Sequence, residues 1–310
     1  MTIQQLEYLI AVDECRHFAK AAEKCFVTQP TLSMMLQKLE EEWGVQLFDR
    51  SRQPVVPTKE GEELIRLAKN VILETKFIKD HLHNIKDELT GEVRLAIIPT
   101  LAPYLVPLFL NEFVNKAPKL KVFIREMATV QMIAALNAGT IDIGIMATPI
   151  DEPGLKEYPL FYEEFYVYAS PLEKLPQKKY ILPKEIKTER LWLLEEGHCF
   201  RNQMMNLCQL KKKDALAFNY EAGSIETLIN LVDHSKGLTL IPQLAEMNLT
   251  PAQRKNVREF TAPKPARQIS LVVKNNFIRQ KMITELKKHI QQAVDKKMLN
   301  NKNKKVTAIE

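Results

Sequence analysis

The sequence predicts an α/β protein in which a small helical head and one long helix precede a body of alternating strands and helices. Three observations predict it. Apolar residues recur at helical spacing between residues 2 and 58; an unbroken stretch from 59 to about 90 repeats every 3.5 residues; beyond Gly91 short apolar strands alternate with helical segments. A chain of 310 residues is long enough for two or three domains with their own cores. With 45% hydrophobic and 26% charged residues, the composition is that of an ordinary globular protein. No apolar run approaches the roughly 20 residues that span a bilayer. The opening Met1-Thr2-Ile3-Gln4-Gln5 lacks the basic and apolar regions of a signal peptide, so the expected location is the cytoplasm, with no membrane partner.

In the head, Leu6, Leu9, Ile10 and Val12 set an apolar stripe, and Phe18 to Lys24 forms a second helix whose Ala19, Ala21 and Ala22 permit close packing. Cys25-Phe26-Val27 turns the chain. Thr28 is a good N-cap, Pro30 suits the first turn, and a third helix follows through Leu32, Met35, Leu36 and Leu39 to a stop at Gly44. Val45 to Pro57, alternating and with two prolines, reads as a short β-hairpin wing. From Lys59 to Thr90, the residues Leu64, Ala68, Val71, Thr75, Ile78, Leu82, Ile85 and Leu89 step alternately by four and three. That is a coiled-coil seam, best explained as a dimerisation element.

After Gly91 the reading is a strand at Val93–Ile98, a helix at Ala102–Lys116, and a strand at Leu120–Arg125; a helix at Val130–Ala138 and a strand at Ile141–Met146 follow. Such alternation implies a mostly parallel sheet covered on both faces. A second set includes Phe165–Tyr168 and Leu238–Pro242, and Ile269–Val273 is a late strand able to return to the first lobe. Two α/β lobes joined by crossing strands leave a cleft, where ligands usually bind.

The net charge of +6 is not evidence for a nucleic-acid partner. Residues 1–58 carry six basic side chains against eight acidic ones, and much of the excess lies at Lys296, Lys297, Lys302, Lys304 and Lys305. Residues 296–310, rich in Asn and Lys, are expected to be disordered. The cysteines are Cys15, Cys25, Cys199 and Cys208. Reducing surroundings disfavour permanent bridges, no CxxC pair exists, and the spacings fit no zinc pattern, so neither metal nor cofactor is expected.

Two helices joined by a short turn, the second opening Thr28-Gln29-Pro30-Thr31-Leu32-Ser33, form a helix-turn-helix pattern. Gln29, Thr31, Ser33 and Gln37 are short or amide side chains able to reach base edges or phosphates, and Arg50 and Arg52 on the wing are placed to neutralise backbone charge. Polar residues on a short helix are more often simply a solvated face. The stretch from Phe18-Ala19-Lys20-Ala21-Ala22 through Thr28–Ser33 to Leu47-Phe48-Asp49-Arg50 closely resembles the signature of LysR-type transcription regulators. The resemblance extends to about residue 295. It implies a winged helix-turn-helix over 1–58 and a linker or dimerisation helix over 59–90. Residues 91–295 would form a two-lobed, periplasmic-binding-protein-like α/β effector domain. It also implies double-stranded promoter DNA as partner, read by Gln29, Pro30, Thr31, Ser33, Gln37, Arg50 and Arg52, self-assembly as a dimer of dimers, RNA polymerase as a further contact, and no enzymatic activity. Met34 and Met35 depart from the family, where one of the two positions is often polar or charged.

The segment Glu195-Glu196-Gly197-His198-Cys199-Phe200-Arg201-Asn202-Gln203 resembles the redox centre of the peroxide-sensing branch of that family, with Cys199 as the reactive and Cys208 as the resolving thiol. Hydrogen peroxide is then the implied signal, with His198, Thr100, Thr129 and Arg267 as the implied pocket. On chemical grounds His198 and Arg201 favour a thiolate, while Glu195 and Glu196 oppose it. Were the segment between the thiols helical, nine residues would hold the Cα atoms about 13 Å apart. A disulfide needs roughly 4.4–6.8 Å, so the segment would have to refold. Free cysteines are more often small buried apolar residues, which is the expectation for Cys15 and Cys25. His81, His83 and His234 read as surface or packing residues. A LysR-type regulator that answers a small-molecule inducer in the cleft, with inert cysteines, remains an alternative. A thiol peroxidase or a solute-binding protein leaves the head unexplained.

Overall fold

The structure, a computed structural model, describes residues 1–85, 89–173, 180–182, 186, 191–195, 199–208 and 222–307, with 76, 77, 79–85 and 181 as backbone only. The chain divides into two compact units, Met1–Ile85 and Lys86–Glu310.

The first unit is built from local signals. Helix α1 (Ile3–Cys15) starts at a capping box between Thr2 and Gln5 and ends where Arg16 turns left-handed at φ 50°. Helix α2 (Phe18–Lys24) follows, then α3 (Gln29–Trp43), capped by the Thr28 hydroxyl and stopped by Gly44 at φ 68°, a conformation suited to glycine. Leu6, Leu9, Val12, Ala21, Leu32, Leu36 and Leu39 bury one face of each helix, and Leu47 and Phe48 close the core from below. The wing is an antiparallel pair, β1 (Phe48–Asp49) and β2 (Val56–Pro57). Helix α4 (Lys59–Ile85) crosses the wing at Gly61, where a Cβ would lie 2.1 Å from the Leu47 carbonyl oxygen.

The heptad reading of α4 divides into two parts. Ile65 and Ala68 are buried in the head's own core, with Leu64 and Ile72 packed against it, and Lys69 is bonded to Asp13 at 2.7 Å. The first turns therefore serve the head, which is what an isolated helix does with an apolar stripe when a partner helix of its own unit is available. Leu67, Val71 and Ile78 are left exposed. Leu89, assigned to the same seam, packs instead in the core of the second unit.

The second unit opens with β3 (Gly91–Ile97), α5 (Ala102–Lys116), β4 (Leu120–Glu126), α6 (Thr129–Asn137) and β5 (Ile143–Thr148). Strand β3 pairs in parallel with both β4 and β5, as alternation required. The long strands β6 (Leu155–Ala169) and β10 (Lys264–Lys274) then run antiparallel to each other over nine registered pairs, and β10 returns antiparallel to β5. The mostly parallel sheet expected from the sequence is thus confined to the first lobe. Crossing strands that pass from one lobe to the other and back must run in opposite directions. Between them come β7 (Tyr180–Ile181), α7 (Cys199–Leu207), α8 (Ile225–His234), β8 (Leu238–Pro242), α9 (Gln243–Met247), α10 (Pro251–Arg254) and β9 (Val257–Phe260). Strands β8 and β9 both pair antiparallel with β6. Helix α11 (Gln280–Ala293) packs against α5.

As far as it is described, to residue 307, the tail departs from its expected disorder. Lys296–Leu299 forms a 3-10 turn with Met298 fully buried, and β11 (Lys304–Val306) adds in parallel to β10. Lys304 explains the misreading: its Nζ donates to the carbonyls of Tyr162 (3.3 Å), Lys297 (2.8 Å) and Asn300 (3.1 Å). A lysine that counts as a solvating charge in composition here ties three backbone carbonyls together.

Candidate functional site

Both thiols of the second unit lie on one helix. Cys199 is the first residue of α7 and Cys208 follows its last, with the Cys208 N–H still donating to the Met204 carbonyl at 3.0 Å. Both are free and buried. The segment between them is therefore helical, and at 1.5 Å per residue it holds their Cα atoms about 13 Å apart. Burial alone pushes the Cys208 thiol up to about 12, so it is kept as a neutral S–H.

What fixes α7 is Phe200. Its ring is fully buried, edge-on to Phe165 with centroids 5.2 Å apart, and the Arg267 guanidinium stacks 5.1 Å over it. Arg267 is itself inaccessible to water. Its Nε donates to Glu163 (2.8 Å), Nη1 to the Thr100 hydroxyl (2.9 Å) and Nη2 to the Thr100 carbonyl (3.1 Å). Arg267 and Glu163 are register partners on β10 and β6, and the second carboxylate oxygen accepts the N–H of Leu244. Every atom of this buried pair that needs a partner is given one, the condition under which such a pair is tolerated.

The structure thus brings Arg267 to the residue beside Cys199, and Thr100 to Arg267. Thr129 opens α6, buried, with a hydroxyl that has no partner among the described residues. His198 lies outside the described residues. Glu163 and Gln203 were not anticipated. Glu163 had a signal: Phe161, Glu163, Phe165 and Val167 alternate onto one face of β6, and a carboxylate on an otherwise apolar face needs a buried cation. Gln203 had none. Among the described residues, no group of three or more His, Cys, Asp or Glu could hold a metal ion.

In the head, Gln29, Pro30, Thr31 and Gln37 are exposed on α3, and Ser33 is half-buried. The Thr31 N–H and hydroxyl are engaged with the Thr28 hydroxyl, and Gln37 donates to Glu41. Arg50 pairs with Glu40 at 2.7 Å, reaches Ser33 at 3.5 Å and stacks 5.1 Å over Phe18; Arg52 pairs with Asp49 at 3.0 Å. A cavity of about 560 Å³ gathers Gln29, Ser33, Arg50 and Arg52 beside Arg16 and Lys20. The head is acidic in sum, yet its basic side chains collect at the start of α3, where the helix N-terminus also favours an anion.

Two family profiles match the chain. The LysR substrate binding domain covers residues 86–295, and the bacterial regulatory helix-turn-helix protein of the lysR family covers residues 3–62. The chain belongs to the LysR family. It is a DNA-binding regulator carrying the helix-turn-helix of that family. It is 35% identical over 274 residues to the hydrogen peroxide-inducible genes activator of Haemophilus influenzae, covering 88% of this chain and 90% of that one. It is likewise 35% identical over 276 residues to the DNA-binding transcriptional dual regulator OxyR of Escherichia coli K12, covering 88% and 89%. Among solved structures, a full-length cysteine-to-aspartate variant of OxyR from Pseudomonas aeruginosa is 31% identical with a TM-score of 0.76, covering 94% of this chain and 98% of that one. A cysteine variant of Corynebacterium glutamicum OxyR with hydrogen peroxide bound is 30% identical with a TM-score of 0.61, covering 94% and 92%.

Proposed function

We propose that this LysR-type regulator senses hydrogen peroxide by joining Cys199 to Cys208, and that the refolding this demands alters how it holds promoter DNA. The observation that carries the reading is the placement of two buried free thiols at the two ends of one helix. Peroxide oxidises Cys199 to a sulfenic acid and releases water; the Cys208 sulfur then displaces the second oxygen as water and the disulfide closes. At about 13 Å the helix and the bond exclude each other, so the chemistry selects between two backbone arrangements. The names of the relatives and the peroxide-bound neighbour support the signal. In this reading Thr100, Thr129, His198 and Arg267 form the peroxide pocket. Thr129 has a hydroxyl free to bond an oxygen, and Arg267 acts through Thr100 and Phe200.

The proposed division is a head over 1–58, a dimerisation helix over 59–90 and a sensing domain over 91–295. Support for the middle element is the apolar row Leu67, Val71 and Ile78, exposed on α4. A cytoplasmic dimer of dimers that contacts RNA polymerase completes the proposal. Base reading falls to Gln29, Pro30, Thr31, Ser33 and Gln37, and phosphate contact to Arg50 and Arg52. Disulfide mapping by mass spectrometry after one equivalent of peroxide, followed by footprinting of the same sample on a target promoter, tests it. The reading predicts loss of two hydrogens between Cys199 and Cys208 and an altered footprint. Reduced thiols, or one footprint for reduced, oxidised and Cys199→Ser protein, would leave only an inducer-driven regulator.

A further inference from the structure

We propose that the C-terminal strand is a latch on the thiol-bearing helix: Gln203 of α7, holding the carbonyl of Thr307, keeps the helix in its reduced position and so sets how readily Cys199 and Cys208 join. The proposal rests on the redox reading above and concerns its regulation.

Gln203 lies between the two thiols, fully buried, and its Nε2 donates to the Thr307 carbonyl at 3.2 Å. Its Oε1 has no partner among the described residues, so the hold rests on that one bond. Thr307 continues the ladder of β11, its N–H donating to the Ala266 carbonyl at 2.8 Å after the pairs Lys264–Lys304, Pro265–Lys305 and Ala266–Val306. Lys304 fastens the strand to three carbonyls. Ala266 adjoins Arg267, whose guanidinium covers Phe200. One strand, β10, therefore grips α7 twice: through Arg267 on Phe200 near its start, and through the tail on Gln203 at its middle.

The first grip is made by residues inside the span that the family profile matches, which ends at residue 295. The second joins Gln203, inside that span, to Thr307, beyond it. Joining the thiols removes their two hydrogens to peroxide, which leaves as two waters, and it requires the Cα separation to shrink from about 13 Å to roughly 4.4–6.8 Å. Gln203 sits in the stretch that must unwind, so closing the bond withdraws its amide from Thr307. The tail bond is made only in the reduced arrangement and opposes oxidation. Its loss makes the disulfide harder to reduce.

The full chain, Gln203→Met, a chain ended after Asn303 and the combination of the two are equilibrated in dithiothreitol redox buffers, and the Cys199–Cys208 disulfide is quantified by thiol trapping and mass spectrometry. The shortened chain keeps the turn that buries Met298. Each single change is expected to raise the disulfide equilibrium constant about tenfold, a potential about 30 mV more negative. The combination is expected to exceed neither, because both remove the same bond. Midpoints equal to the full chain's, or effects that add, overturn the latch. Should the shortened chain not fold, Gln203→Met, which leaves the tail in place, decides alone. A full chain that forms no such disulfide defeats the redox reading and the latch together; a full chain that forms it while the variants titrate unchanged defeats the latch only.

Discussion

Each unit stacks one arginine on one phenylalanine and pairs it with one glutamate, at nearly the same distances. In the head, Arg50 lies 5.1 Å over Phe18 and 2.7 Å from Glu40; in the second unit, Arg267 lies 5.1 Å over Phe200 and 2.8 Å from Glu163. Water separates their uses. The Arg50 side chain is 35% exposed, whereas Arg267 and Glu163 are both at 0%. An exposed pair has a small net energy and can exchange its glutamate for a DNA phosphate. A buried pair cannot lose a partner without stranding a charge, so it fixes geometry instead. The same three side-chain types suit an adaptable contact in one place and a fixed support in the other.

The largest expected effect follows from the buried copy. Arg267→Met leaves Glu163 without its cation and should destabilise the second unit by about 3–5 kcal/mol in urea unfolding, whereas Arg50→Met should change head stability by about 1 kcal/mol or less. Equal effects would remove the distinction drawn between the two sites. On DNA the order reverses. Arg50→Met should lower the slope of log affinity against log salt by about 0.9, the share of one phosphate contact, and an unchanged slope would take Arg50 out of the interface.

The thiols sharpen the same contrast. Cys25, at the end of α2, is held up by partial burial, but Cys208 is held far higher, to about 12, by burial alone. A thiol whose pKa is raised on folding stabilises the fold below its ordinary value of about 8.5 and loses that contribution as pH climbs toward the folded value. Reduced protein should therefore weaken as pH rises above about 8.5, by up to about 1.4 kcal/mol per pH unit from this thiol, and Cys208→Ala should flatten the dependence between about pH 8.5 and 10, below the range where the buried hydroxyls of Tyr104, Tyr166 and Tyr168 begin to contribute. A slope that persists in the variant would assign it elsewhere. A comparably small effect belongs to the cap of α3. Thr28→Ala removes the acceptor for the Thr31 N–H and should cost about 1 kcal/mol of head stability, read from thermal unfolding.

How legible each unit was in the sequence follows from the reach of its contacts. The head's caps, stops and small-residue helix are neighbours in sequence, so Thr28, Gly44 and the Phe18–Lys24 helix could be placed from local chemistry. The site around α7 is assembled from afar: Arg267 meets Thr100 across 167 positions, and Gln203 meets Thr307 across 104. Its thiols were visible because cysteine is rare and its chemistry specific. Arg267 was reached only by resemblance, and the bond that Gln203 makes by neither route, because a buried glutamine bonded to a distant carbonyl leaves no local pattern. The tail was misjudged for the same reason, since composition does not reveal which carbonyls Lys304 satisfies.

Hydrogen exchange across α7, measured on reduced and peroxide-treated protein, bears most directly on the central claim that helix and disulfide are mutually exclusive. The account predicts that the amides of residues 203–208, protected while the thiols are free, exchange rapidly once Cys199 and Cys208 are joined. Unaltered protection in a sample whose disulfide has been verified would contradict it.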